Sequence, residues 1–421
     1  MSEQTQAKKW YDNRWVRAAI PALLIHCSIG TVYCWSTFKV TIAEQIGMSK
    51  GAVGWAFSLA IFFLGMSAAF AGKVVELNIH KSSLISCICF TTGMVGTGLT
   101  IKFCTGPLAL VLIYLFYGCI MGIGLGIGYL TPVKTLMLWF KDNKGLATGI
   151  SIMGFGLAKA IATPIMEFLQ NNPKLGITGM FLILAGVYFI MMFAGHLLLK
   201  KPADWVESKT TNDSFKAVSM FKKPMFIGIW LIFYINIHCG LMLISYEKQL
   251  LENKFAGLAV LATIVAIVPS VTAICNALGR IGYSTISDKL KDRATIYLII
   301  FSSCILICLL TFGLSSVSFL IIPLLMIINL GYGGGFSTLP ALLDSRFGME
   351  NISKIHGLAL SAWAIAGLTG NNLSLLILNN TTSEARPEGN YNILIITAGA
   401  LYAVAMIICL LMVKERKKKE A

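Results

Sequence analysis

Asn276-Ala-Leu-Gly-Arg-Ile-Gly-Tyr-Ser-Thr-Ile-Ser-Asp-Lys-Leu290 closes an apolar run that begins near Phe255. The stretch holds Arg280 inside the run and ends in a charged turn at Asp288 and Lys289. A guanidinium in hydrocarbon costs about 2.5–3.5 kcal/mol on insertion scales, so it persists only where it faces protein or a wet cavity. If the run crosses a membrane, Arg280 is a candidate holder of an anion. The bland alternative is an arginine bonded to helix carbonyls.

The bulk composition says that the run does cross one. The chain has 421 residues, 56% hydrophobic and 13% charged, against about 25% charged in a soluble protein. Apolar runs long enough to span recur along the whole sequence, so the spans are helices rather than barrel strands. We read twelve, at about 15–38, 52–73, 83–103, 107–135, 145–169, 176–199, 223–247, 257–284, 294–314, 317–342, 355–379 and 391–413. The first is long enough to span and has no small-residue cleavage site, which separates it from a leader. The longest polar stretch between spans, 200–222, divides the chain into an N-terminal half at 1–199 and a C-terminal half at 223–421. Most of the eleven cysteines lie in apolar runs as small hydrophobes. Cys87-Ile-Cys89 is too short and apolar for a zinc pair. No metal or cofactor is expected.

The net charge of +15 does not point to nucleic acid. With both termini cytoplasmic, 25 of the 34 basic residues fall on the inner side and 7 on the outer, and Lys159 and Arg280 remain within spans. That asymmetry is the positive-inside signal, facing anionic headgroups of the bilayer. It places a multi-pass protein in the cell membrane; a monomer is expected. The halves also repeat at an offset of 212 residues. Ile25-His26-Cys27 recurs as Ile237-His238-Cys239, Gly72 with Glu76 as Ser284 with Asp288, and Gly145-Leu-Ala147 as Gly357-Leu-Ala359. Duplicated six-helix bundles with a site between them near the midplane belong to alternating-access carriers. The expected fold is therefore all-α, with twelve transmembrane helices in two six-helix bundles.

The motifs sharpen this. Gly30-Thr-Val-Tyr33-Cys-Trp35-Ser36 lies in span 1, and Tyr129-Leu-Thr-Pro132-Val133 and Trp139-Phe-Lys-Asp-Asn-Lys144-Gly145 link spans 4 and 5. Asn236-Ile-His-Cys-Gly240 lies in span 7, Asn276-Ala-Leu-Gly-Arg280 in span 8, Gly333-Gly-Gly-Phe-Ser-Thr-Leu-Pro340 in span 10 and Ser361-Ala-Trp363 in span 11. Together these resemble the oxalate/formate antiporter family of the major facilitator superfamily, related to the monocarboxylate transporters. The resemblance covers all twelve spans. It implies the major facilitator fold, a small carboxylate as substrate, and Arg280 as the substrate-binding arginine.

A guanidinium suits a carboxylate because it is always charged and presents a planar fork. Asn276 lies one turn before it on the same face, placed to donate to substrate or to orient Arg280. Related monocarboxylate transporters commonly carry an aspartate there, tied to proton coupling, and asparagine cannot take up that charge. The family's oxalate carriers pair the arginine with a lysine in span 11, where this sequence has Trp363. One cation suits a monocarboxylate and two suit a dianion. Lys159, roughly 20 Å into span 5, is either that second cation from a different helix or a lysine that snorkels or pairs with Glu167. The resemblance further implies Tyr33, Tyr129, Phe155, Tyr332 and Phe336 as aromatic walls of the cavity. His238, with His26 its repeat partner, either contacts substrate or carries a proton, or is simply bonded to a neighbouring helix carbonyl. Gly72 and Glu76, with Asp288 and Lys289, resemble degenerate copies of the superfamily's charged turns and are read as latches of the inner gate.

Phosphate loops, nucleotide fingerprints and a Ser/His/Asp set are absent, and Gly331-Tyr-Gly-Gly-Gly335 lacks the Lys-Ser/Thr of a P-loop. A sensor needs a soluble signalling domain and an enzyme a nucleophile or metal set; neither is visible. The expected function is secondary transport of small carboxylates (oxalate, formate, lactate). With no central Asp or Glu seen to reset the site's charge, exchange is favoured. The alternative is proton-coupled lactate or pyruvate symport through His26 or His238.

Overall fold

The computed structural model describes residues 12–203, 216–384 and 389–415. Among them are twelve helices long and apolar enough to cross a membrane. The first six are α1 (Trp15–Ile46), α2 (Lys50–Leu77), α3 (Ile79–Phe103), α4 (Gly106–Trp139), α5 (Lys144–Gln170) and α6 (Gly176–Leu198). The second six are α7 (Pro224–Ile244), α8 (Leu261–Asp288), α9 (Ala294–Gly313), α10 (Ser318–Phe347), α11 (Ile352–Asn380) and α12 (Tyr391–Val413). Much of the expected linker, 204–215, lies outside the described residues, as do the basic tail from 416 and Arg386 in the last outer loop.

Helices are forced on the spans because hydrocarbon offers no partner for a bare N–H or C=O. Their ends are closed by local chemistry. Ser49 caps α2 by accepting from the Ala52 N–H at 3.2 Å. Asn78 caps α3 by accepting from the N–H groups of His80 and Lys81 at 3.0 and 2.9 Å. One boundary departs from expectation. Hydropathy carries span 7 to 247, but α7 stops at Ile244 and the chain turns into a short helix, Glu247–Lys254. The apolar content continues through Tyr246, so composition alone does not see the turn.

Without a hydrophobic drive between helices in lipid, close packing needs small residues. Gly122 and Gly126 of α4 face α2, where a Cβ on Gly126 would stand 2.1 Å from the Leu64 carbonyl oxygen. In the second half, α8 and α10 interlock through Gly279 and Gly333. A Cβ on Gly279 would meet the Leu330 oxygen at 2.0 Å, and one on Gly333 the Asn276 oxygen at 2.1 Å. This fixes the helix pair that carries Asn276 and Arg280.

The halves meet along two seams, α2 against α11 and α5 against α8. Gly65 lies against Leu360 and Ala364, and Gly357 against Ala68. Gly145 and Gly149 lie against Ser284. The seams exchange equivalent helices of the repeat, as a pseudo-two-fold between duplicated bundles requires.

The α8–α10 contact is testable within one helix. Gly279→Ala forces two backbones apart and is expected to cost about 1–3 kcal/mol, as overpacking does. Gly282→Ala meets nothing within 4 Å and is expected to be neutral or stabilising by up to about 1 kcal/mol through helix propensity. Thermal unfolding in detergent should lower Tm for the first only; equal behaviour of the two contradicts the packing.

Candidate functional site

A cavity of about 660 Å³ is lined by residues of both halves of the chain. It opens at the end where α1 meets α2 and where the short helix Glu247–Lys254 sits, away from both described chain ends. Tyr33, Gly156 and Lys159 line it from the first half. Glu247, Thr272, Asn276, Arg280, Asn329 and Tyr332 line it from the second.

Arg280 stands at its floor and is 1% exposed. Its Nε–H donates to the Asn276 side-chain oxygen at 2.8 Å, one helical turn away. Asn276 in turn donates to the Asn329 side-chain oxygen at 3.5 Å, and Asn329 donates to the Leu325 carbonyl at 2.9 Å. This relay holds the guanidinium by its edge. A second donor reaches the Ile152 carbonyl of α5 at 3.3 Å, so the arginine already touches both halves. These bonds engage two of the five N–H donors of the fork. None of the described ion pairs includes Arg280. A buried cation without an anion carries an uncompensated desolvation cost of several kcal/mol.

Aromatic rings surround it. The guanidinium carbon is 5.3 Å from the centre of the Phe336 ring and 5.8 Å from that of Phe155. Below, Tyr129, Phe155, Phe336 and Trp363 form a layer contributed by both halves. Trp363 is 4.5 Å from Phe336, 5.6 Å from Tyr129 and 5.8 Å from Phe155, ring centre to ring centre. All four are fully buried. Trp363, at the place where the resemblance led one to look for a lysine, is thus part of an aromatic floor. Beside the arginine, the Tyr33 and Tyr332 hydroxyls share a hydrogen bond of 2.9 Å across the two halves.

Lys159 lies one turn beyond Phe155 and faces the cavity. Glu167 is exposed, and no ion pair joins it to Lys159 among the described residues. His238 does not reach the cavity. Its Nδ1 meets the Thr369 hydroxyl at 2.9 Å and the Tyr234 hydroxyl at 3.3 Å. His26 sits among α1, α4 and α5, with one ring nitrogen against the Ser151 carbonyl and the other 3.2 Å from the Tyr129 carbonyl. It is the helix-bridging histidine of the bland reading.

The opposite end is shut. Asp288 accepts from the Gly145 and Leu146 N–H groups at 2.8 Å each and pairs with Arg293 at 2.7 Å. A carboxylate from α8 thereby caps the N-terminus of α5, where N–H groups lack partners and the helix dipole favours negative charge. Glu76 accepts from the Ser353 N–H at 2.7 Å, at the N-terminus of α11, and is paired with Lys134. Gly72 lets α2 lie against Ser353 and Lys354. Lys144 pairs with Asp344 at 2.7 Å, and Thr148 donates to the Ser337 carbonyl at 2.7 Å. Lys289 does not join these contacts. It is exposed, and Arg293, five residues beyond Asp288, is the base at that turn.

Sequence reading missed Glu247, which it placed at the end of span 7 rather than in the cavity. It also missed Thr272 and Asn329. Glu247 was visible as the one acid between Tyr246 and Lys248, but its direction depends on the turn that hydropathy does not show. The premise that the site lacks a carboxylate is therefore corrected: Glu247 lines the cavity and is 6% exposed.

Asp288→Ala strips two helix N–H groups of their acceptor. At about 1–3 kcal/mol for groups left unpaired, the closed end should open more often. A cysteine placed at Thr148 is expected to react with a maleimide roughly 5- to 100-fold faster in the Asp288→Ala background, measured above the labelling of the native cysteines. An unchanged rate counts against a latch.

The fold and the sequence both have relatives. The proton:xylose symporter XylE superposes with a TM-score of 0.72 at 12% identity, covering 94% of this chain and 95% of that one. The fucose transporter FucP in its outward conformation gives 0.67 at 12% identity, with 94% and 98% covered. The oxalate:formate antiporter of Oxalobacter formigenes is 25% identical over 378 residues, 87% of this chain and 86% of its own. The apicoplast pyruvate carrier 1 of Toxoplasma gondii is 21% identical, with 85% and 82% covered. The Major Facilitator Superfamily model matches residues 22–371, and the chain, a multi-pass membrane protein with twelve candidate membrane helices among its described residues, belongs to the Major Facilitator Superfamily.

Proposed function

We propose that the protein is a secondary carrier of small carboxylate anions, working by alternating access in the cell membrane. The observation that carries this reading is Arg280: a buried guanidinium at the floor of a cavity between the halves, held by Asn276, free of any described carboxylate and walled by aromatic rings. Such a group recognises a planar anion through charge and a two-pronged fork. The relatives named for oxalate, formate and pyruvate support the same substrate class. With both termini on the cytoplasmic side, as the basic residues suggest, the open cavity faces outward and the Asp288 and Glu76 contacts are the inner latches.

Exchange is the favoured mode. An empty site keeps its cation uncompensated in a dry seam and resists closing, whereas a loaded site is neutralised and closes. Proton symport is the second reading, and one observation favours it. The histidines first considered for it are tied to carbonyls or lie outside the cavity, but Glu247 offers a titratable group within it. Burial pushes its carboxyl above the usual range, against the pull of Lys159 and of a hydrogen bond from Thr272.

Counterflow in proteoliposomes tests the reading. Truncating a buried charged partner costs about 2–5 kcal/mol, so Arg280→Ala should lose at least roughly 30-fold in carboxylate uptake. Arg280→Lys, which keeps the charge without the fork, should fall between. Uptake by Arg280→Ala equal to that of the wild type would end the carboxylate reading. Stimulation by internal substrate without response to an imposed pH gradient favours exchange over symport.

A further inference from the structure

The cavity contains an unsettled pair of charges. Lys159 of α5 and Glu247 of the short helix after α7 line it from opposite halves. Neither takes part in a described ion pair, and Lys159 makes no described hydrogen bond. Yet they are close enough for the lysine's charge to be felt at the carboxyl. Glu247 is held on its own side by the Thr272 hydroxyl, which donates to one of its oxygens. A carboxylate this buried with a single neutral donor lacks the compensation that buried charges usually have. Lys39 and Lys50 stand further out, at the rim, and Lys50 is exposed. Inside that rim the cavity is therefore lined by two cations, Arg280 and Lys159, and one acid, Glu247.

Alternating access supplies the step that settles this. When the open end closes, the two halves approach across the space between Lys159 and Glu247. The inner seam shows what such closure looks like: ion pairs and carboxylate caps spanning the halves, as at Lys144 with Asp344 and Asp288 with α5. Glu247 already points into the cavity, on the half that lacks Lys159.

We propose that Glu247 is the specificity-determining residue of the cavity: as the mouth closes its carboxylate claims Lys159, leaves Arg280 as the only cation for substrate, and so restricts transport to monocarboxylates. Glu247 acts as a built-in second carboxylate. A dicarboxylate substrate competes with it for the same ammonium and meets its negative charge, whereas a monocarboxylate needs Arg280 alone. The inference rests on the carboxylate-carrier reading and assigns Lys159 a partner in the protein rather than in the substrate. It also accounts for the aromatic residue at Trp363, since a cavity tuned to one carboxylate has no use for a further cation in α11.

The experiment is counterflow of labelled formate and labelled oxalate in proteoliposomes holding the wild type, Glu247→Gln, or Glu247→Gln with Lys159→Gln. The wild type should prefer formate. Removing the Glu247 charge should raise the oxalate-to-formate uptake ratio by roughly tenfold or more, the equivalent of one modest charge contact. Removing Lys159 as well should return the ratio to the wild-type value or below. Glu247→Ala removes the same charge and replaces the glutamine variant if that one is not recovered folded. A ratio within twofold of the wild type in the single variant overturns the proposal. So does a gain in oxalate that survives the loss of Lys159, or a wild type that prefers oxalate. A wild type that exchanges neither anion, and neither lactate nor pyruvate, overturns the carrier reading itself, a result distinct from any change in ratio.

Discussion

The structure depends on keeping one permanent charge, Arg280, inside a membrane protein. In water its fork would cost nothing. Here it is 1% exposed, and everything within reach is arranged to make that tolerable. Asn276 and Asn329 give it a directed acceptor chain, Ile152 adds a carbonyl from the other half, and Phe155 and Phe336 present ring faces. These groups solvate the cation without neutralising it. Amide oxygens and ring quadrupoles are weaker than a carboxylate, so the affinity for an incoming anion is preserved. An aspartate at 276 would satisfy the arginine from within and compete with substrate.

A site of this kind moves only if the seams around it can be made and broken. The close approaches at α2–α11 and α5–α8 use glycine, so at those points one backbone lies directly against the other helix. What holds the closed end is instead a small set of polar contacts, each of about the size of one charge-assisted hydrogen bond. Asp288 and Glu76 occupy equivalent positions of the repeat, and each ends on the N-terminus of a helix from the other half. Helix N-termini attract carboxylates in water as well as in protein, so such a latch is strong when closed and loses little when opened to solvent. Duplication explains why there are two.

The fold was legible because its signals are long. Twelve apolar runs, a mid-chain polar break and a constant 212-residue offset each integrate over many residues, and all twelve expected spans are helices among the described residues. The site was legible where a residue is costly. Arg280 and Lys159 stood out because nothing in hydrocarbon excuses them, and both line the cavity. Direction was less legible. His238 shares its helix with cavity residues but faces Thr369, and the base at the gate turn is Arg293 rather than its neighbour Lys289. A shift of one or a few positions on a helix turns a side chain through a large angle, which sequence spacing near a helix end does not resolve. Glu247 was hidden for a related reason. Its role follows from where α7 stops, and hydropathy blurs an end by several residues.

That blurred end matters for how the charges balance. Read without Glu247, the cavity inside its rim is lined by two cations, Arg280 and Lys159, with nothing of the protein's own to offset them. With Glu247 set against Lys159, Arg280 is left as the one unmatched cation inside the rim, which on the proposed reading is the complement of a single carboxylate. An anion then binds tightly enough to neutralise the site and weakly enough to leave it. A carrier needs this balance in both states, because a ligand can shift the equilibrium between two conformations only by its difference in affinity for them. On the proposed carrier reading, a loaded cavity closes because Arg280 meets its anion and Lys159 can meet Glu247 in the same movement. Opening on the other side requires Asp288 and Glu76 to give up helix N–H groups that water can satisfy, together with the Lys144–Asp344 pair and the Thr148 hydrogen bond to Ser337. On the same reading, three carboxylates (one from a short loop helix, two from helix ends) balance the gate at both ends, and the substrate's own carboxylate decides which end is open.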